Sequence, residues 1–113
     1  MSIGTRESPS KEKELWIGLA HVRQPNRNGV LGDADRAYVN VIALAANKRN
    51  FRTQIKKALD ELGLDLIKVE DAETMVMRLS KHSVHKELHS LAEEVKRNGS
   101  IRFDVFQTFD VND

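Results

Sequence analysis

The sequence predicts an α+β fold: two amphipathic helices packed on one face of a four- or five-stranded, mostly antiparallel sheet, in the order ββαβ(β)αβ. This is an open-faced sandwich of ferredoxin-like plan. Three observations lead there. Apolar residues alternate or run continuously over 15–22, 37–45, 65–70 and 101–109, as strands require. They recur at spacings of three and four over 48–62 and again over 84–95, as helices require. A glycine, Gly63 or Gly99, stands just past each helical stretch.

Residues 1–13 carry almost no apolar side chains to offset the entropy of ordering them, so they are expected to form a mobile tail, with a single domain over 14–113. The first strand, Leu15 to Val22, places Leu15, Ile17 and Leu19 on one face and Trp16, Gly18, Ala20 and Val22 on the other. Arg23 to Arg36 is a long loop punctuated by Pro25, Asn28-Gly29 and Gly32-Asp33 and carrying Arg23, Arg27 and Arg36. Ala37–Ala45 is the second strand, apolar enough to lie inside the sheet, and the simplest topology pairs it with the first. Asn47 caps a helix whose stripe is Phe51, Ile55, Leu59 and Leu62, and Gly63 ends it. Asp65–Glu70 is a third strand, parallel to the second if the helix makes a crossover. Asp71–Glu73 reads as a turn. Met75, Met77 and Leu79 alternate, as in a short edge strand or an extended cover. Ser83 is positioned to cap a second helix with the stripe Val84, Leu88, Leu91 and Val95. In the last strand, Ile101, Phe103, Val105 and Phe109 share one face, and Arg102, Asp104, Phe106 and Thr108 the other.

At 113 residues, 40% hydrophobic and 31% charged, the chain is long enough to build one core without staples. It has no cysteine, hence neither disulfides nor a thiolate site, and cytoplasm is the expected compartment. No apolar run approaches the ~20 residues of a membrane span, and residues 1–14 lack the apolar core of a signal peptide. A formal charge of +1 speaks against general nucleic-acid binding.

Four groups of residues are candidates for chemistry. His82, His85 and His89 fall at helical spacing, but His85-Lys-Glu-Leu-His89 sets its glutamate one place later than the zinc-protease pattern needs. They read as a solvated helix flank, with no metal. Asn28-Gly-Val-Leu-Gly-Asp33 leads into a strand and lacks the lysine of a phosphate-binding loop, so it reads as a connector. Trp16, Tyr38 and Phe106 could stack bases on an uncovered sheet face, yet the RNA-recognition consensus is absent, and a second packed layer or a partner-facing patch explains them as well. Glu70, Asp71 and Glu73 cluster in sequence, with Asp104 and Asp110 on a strand that could lie near them. No nucleophile elbow surrounds any serine, and no cofactor motif is present. The expectation is a protein without enzymatic activity.

The segments AYVNVIALA, FRTQIKKALDELGLDLIKVEDAE, LAEEVKRNG and IRFDVFQTF, spanning residues 37–109, resemble small bacterial α+β proteins. Among these are the immunity proteins encoded beside polymorphic or contact-dependent growth-inhibition toxins. The resemblance implies a cytoplasmic toxin inhibitor that binds and neutralises one cognate toxin domain, often a nuclease. A basic nuclease cleft would be met by carboxylates and an aromatic anchor, which points to Glu70, Asp71, Glu73, Asp104 and Phe106 as partner-binding residues. The alternative is a small ligand-binding or regulatory domain, dimeric through a sheet edge or its open face.

Overall fold

The computed structural model describes residues 13–26 and 29–110. The tail expected at 1–13 therefore lies outside the described residues except for Lys13, as do Arg27 and Asn28 of the long loop. The elements are β1 (Glu14–Arg23), β2 (Arg36–Ala45), α1 (Lys48–Glu61), β3 (Asp65–Thr74), α2 (Met75–Lys81), α3 (Lys86–Asn98), β4 (Arg102–Phe103) and β5 (Gln107–Phe109). The chain has the expected α+β plan, with a sheet ordered β3-β1-β2-β4 and β5 also paired to β2. Every strand pairing is antiparallel. β3 does point the same way as β2, because it pairs antiparallel with β1 on the far side.

The β1–β2 hairpin sorts the core. Its register places Leu15 opposite Leu44 and Ile17 opposite Ile42 on one face, and Trp16 opposite Ala43, Gly18 opposite Val41, Ala20 opposite Val39 and Val22 opposite Ala37 on the other. Since side chains alternate along a strand, two apolar faces need two covers. α1 supplies one: Phe51, Ile55 and Leu59 are fully buried against Ala20, Val22, Val39 and Val41. α2 and α3 supply the other, with Met75, Leu88, Ala92 and Val95 closing over Ile17 and Ile42. Among the described residues the helices number three and divide between both faces, where two on a single face were expected; the apolar character of both sides of β1 already demanded this. The second cover is partial, and the cluster it builds takes in Ile17 and Ile42 but not His21 or Tyr38.

Local chemistry explains the helix ends. The Asn47 side chain accepts from the Asn50 N–H, and Gly63 adopts φ 76°, as expected. Leu62 is 39% exposed because it forms the C-cap, and Leu64 takes the buried place that the stripe had assigned to it. Residues 75–81 are helical and not extended: the Thr74 hydroxyl accepts from the Met77 N–H and caps a helix there. α3 begins after His85 without a side-chain cap, so Ser83 does not serve as one, and Gly99 ends it at φ 75°.

Two irregularities displace residues from their expected faces. Asp71–Glu73 is not a turn between elements but part of β3: Ile17 pairs with Glu73 and Leu19 with Glu70, so three steps on β3 match two on β1, and Asp71 takes φ 55° in the resulting bulge. The last strand is broken in two. Val41 pairs with Phe103 and Tyr38 with Gln107, so four steps on the terminal segment match three on β2. The extra residue reverses the alternation, leaving Phe103 on the α1 face and Phe109 on the opposite one.

Gly18 allows α1 to sit close. A Cβ there would stand 3.0 Å from the Phe51 ring, 3.1 Å from a Val69 methyl and 3.4 Å from the Ala72 backbone. Gly18→Ala should cost about 1–3 kcal/mol of overpacking, read as a lower urea midpoint at constant slope.

Candidate functional site

Two concave or open regions share the incompletely covered sheet face. The first is a cleft of about 690 Å³ with Leu19 and Asn40 on its floor, bordered by Glu73, Arg78, Lys81 and the α2–α3 connection at His82 and His85. Its wall is an ion network. The Glu73 carboxylate accepts from the Arg78 guanidinium and sits 2.7 Å from the Lys81 ammonium, and Arg78 also donates to the Asp71 carbonyl at 2.8 Å. Hydrogen bonds from Arg78 and Lys81 hold the Glu73 carboxyl down at about 2. This network ties α2 to β3, one carboxylate satisfying two cations.

The second region begins where the helices stop. Beyond Leu19 and Asn40, the same face presents His21, Tyr38 and Phe109, with ring centroids 4.6, 5.4 and 5.8 Å apart and planes within 29° of parallel. Register places Lys68 beside His21, Gln107 beside Tyr38, and Arg36 between Arg23 and Phe109. Burial of the His21 imidazole lowers its pKa, and the charges of Arg36 and Lys68 add to this against a smaller opposing effect of Glu70. Its Nε2 is buried without a hydrogen-bond partner among the described residues, which likewise favours the neutral ring. Arg23 pairs with Asp65 at 2.7 Å and Lys68 with Glu70 at 3.4 Å, whereas Arg36 forms no ion pair among the described residues.

The second half of the long loop next to this region is held from inside. Gln24, the one buried polar residue among those described, donates to the Gly32 and Ala34 carbonyls and accepts from the Leu31 N–H, each at 2.9 Å. A connector is what the sequence suggested, and the glutamine fixes its part from Leu31 to Ala34.

The five residues expected to bind a partner are not gathered at one place. Glu70, Asp71 and Glu73 lie on edge strand β3, whereas Asp104 and Phe106 lie at the opposite edge, with β1 and β2 between, about 14 Å away at ~4.8 Å per strand. Glu73 is consumed by Arg78 and Lys81. Phe106 packs into the α1-side core and stacks on Phe103 at 5.9 Å, so it is not a free anchor. The Asp104 N–H donates to the Asn40 carbonyl, fixing the strand break. Of the aromatics considered for base stacking, Trp16 packs on Phe51 and Phe106 on Phe103, both on the α1 side; Tyr38 alone faces the open region. His21 and Phe109 escaped notice, Phe109 because an unbroken strand would have turned it inward.

The three histidines do not share one helix: His82 is the C-cap of α2, His85 the N-cap of α3, and His89 lies within α3. Among the described residues no group of three or more His, Cys, Asp or Glu is placed to hold a metal ion, and no helix is long and apolar enough to cross a membrane. Comparison with known proteins returns no matching family model, curated protein or solved structure.

Two measurements probe the titrating groups. Glu73 contributes stability that is complete above its ordinary value of 4.5 and lost as pH falls toward about 2. Glu73→Gln should abolish that acid dependence and speed amide exchange in α2 by about tenfold or more while leaving α3 protected. His21 is depressed below 6.5, so the unfolded chain takes up its proton first. Stability should therefore decline as pH drops from 7 toward 5, and His21→Phe should flatten the decline.

Proposed function

We propose that the chain is a non-enzymatic protein-binding module of the immunity type, one that binds and neutralises a toxin domain, with α2 at the centre of its docking surface. One observation carries this reading. On a helix of seven residues, Val76 is 75% exposed, Met77 52% and Leu79 46%. Single exposed apolar residues are commonplace, but three on one short element form a patch, and such patches mark interaction sites. Met75 and the Glu73 network fix α2 against the sheet, so the patch meets a partner already ordered, which lowers the entropic cost of docking.

The expected acidic contribution narrows to the residues beside the foot of this helix. Asp71 is exposed where Arg78 holds its carbonyl, and Glu70 precedes it. Asp71, with a smaller share from Glu70 because Lys68 pairs with it, would form an acidic rim next to an apolar centre, suited to a basic partner such as a nuclease domain. Asp104 belongs to the far edge and has no part in this surface. The implied compartment is the cytoplasm, where such a partner would be held inactive.

The test is co-expression with a toxin-like product of a neighbouring reading frame, followed by titration of the purified pair. Val76→Asp with Leu79→Asp should weaken binding about 30-fold, equivalent to ~2 kcal/mol, and Asp71→Lys should mainly slow association at low salt. Binding indifferent to the α2 double variant would dismiss this surface. Failure to bind any neighbouring product, or a self-associating chain whose dimer is broken by the same variant, would dismiss the immunity reading itself.

A further inference from the structure

We propose that the helix-free end of the second sheet face, centred on His21, Tyr38 and Phe109, is a stacking platform for single-stranded nucleic acid. It lies on a different part of the molecule from the α2 patch and does not depend on the reading of that patch.

Three observations converge. The rings form a near-parallel group that lies outside the apolar cluster built with α2 and α3, which ends at Ile17 and Ile42 on this face. Unstacked bases bind to such sheet-borne rings because every base has a π-face, whereas a duplex keeps its bases occupied. Cations occupy the same face around the rings: Lys68 beside His21, Arg23 and Arg36 in the next row beside Phe109. Asp65 and Glu70 engage Arg23 and Lys68, which leaves Arg36 as the cation available to a phosphate without breaking a pair. Amide side chains also flank the rings, Gln107 beside Tyr38 and Asn40 two residues along β2, and amides can pair with base edges. The cleft floored by Asn40 adjoins the rings, so a strand crossing them would have room to continue toward Leu19.

With one net cation beyond its ion pairs, the platform should bind weakly and with a shallow salt dependence. A labelled twelve-nucleotide oligothymidine, titrated with the full chain at low salt, should bind in the range of about 1–100 µM, with a log–log salt slope near −0.7 to −1.4, equivalent to one or two phosphates. A duplex of equal length should bind at least about fivefold more weakly. Tyr38→Leu with Phe109→Leu and, separately, Arg36→Glu should each reduce affinity about tenfold or more. Since the leucine variant could disturb the fold, NMR on the unaltered chain serves as a second readout: oligonucleotide should shift His21, Tyr38 and Phe109 and leave Val76 and Leu79 unmoved. Absence of binding, equal affinity for duplex, or shifts confined to α2 would each overturn the proposal. So would a mononucleotide that binds as tightly as the oligomer.

Discussion

The ten-residue antiparallel ladder between β1 and β2 imposes a requirement that the remaining elements answer. Its register puts apolar residues on both sides, with Ile17 opposite Ile42 below and Ala20 opposite Val39 above. Neither side could stay in water without forfeiting about 25 cal/mol for each Å² of apolar surface left uncovered. α1 answers on one side with Phe51, Ile55 and Leu59, brought close by the missing side chain at Gly18. On the other side α3 answers with Leu88, Ala92 and Val95, helped by Met75 at the start of α2. The apolar content of that second side ends near Ile17 and Ile42, and so does its cover. The open region exists because the hairpin changes character along its length, from aliphatic to aromatic and charged.

This division was partly visible in the residues themselves. Caps and stops were legible: Asn47, Gly63 and Gly99 act locally, through a side-chain hydrogen bond or a left-handed backbone, and need no tertiary information. The two-sided character of β1 was legible too, though not the consequence that helices must then divide between faces. α2 was hidden by its own pattern, since Met75, Met77 and Leu79 alternate as a strand would, and only the Thr74 cap signals the helix. The two bulges were not legible at all. Each depends on a mismatch between partner strands, and one sequence read alone contains no partner.

The same mismatches redistribute the surface. In the sequence, five acidic and aromatic positions read as one cluster. In the fold, Glu73 is spent on anchoring a helix, Phe106 is spent on packing, and the aromatic residues that do meet the open face come from three separate strands. Charge is balanced locally as well as overall: of the three cations around the ring group, Arg23 and Lys68 are paired with Asp65 and Glu70, and Arg36 is the one without an ion pair among the described residues. Long bulged β3 meanwhile makes a poor template for another strand, because Asp71 and a further register shift, where His21 pairs with Lys68 but Val22 with Leu66, interrupt the even row of backbone groups that edge pairing requires. The β3 edge is thereby ill suited to sheet extension.

The single surplus residue between β4 and β5 has a consequence for how such a surface changes over generations. Alternation has only two states, so one codon gained or lost in the 104–106 segment would exchange Phe109 and Thr108 between the two sheet faces without altering either amino acid. Because β5 is only three residues long, the exchange would involve few of the sheet's contacts. Insertions and deletions there would therefore act as a coarse switch on the composition of the open face, and substitutions as its fine adjustment.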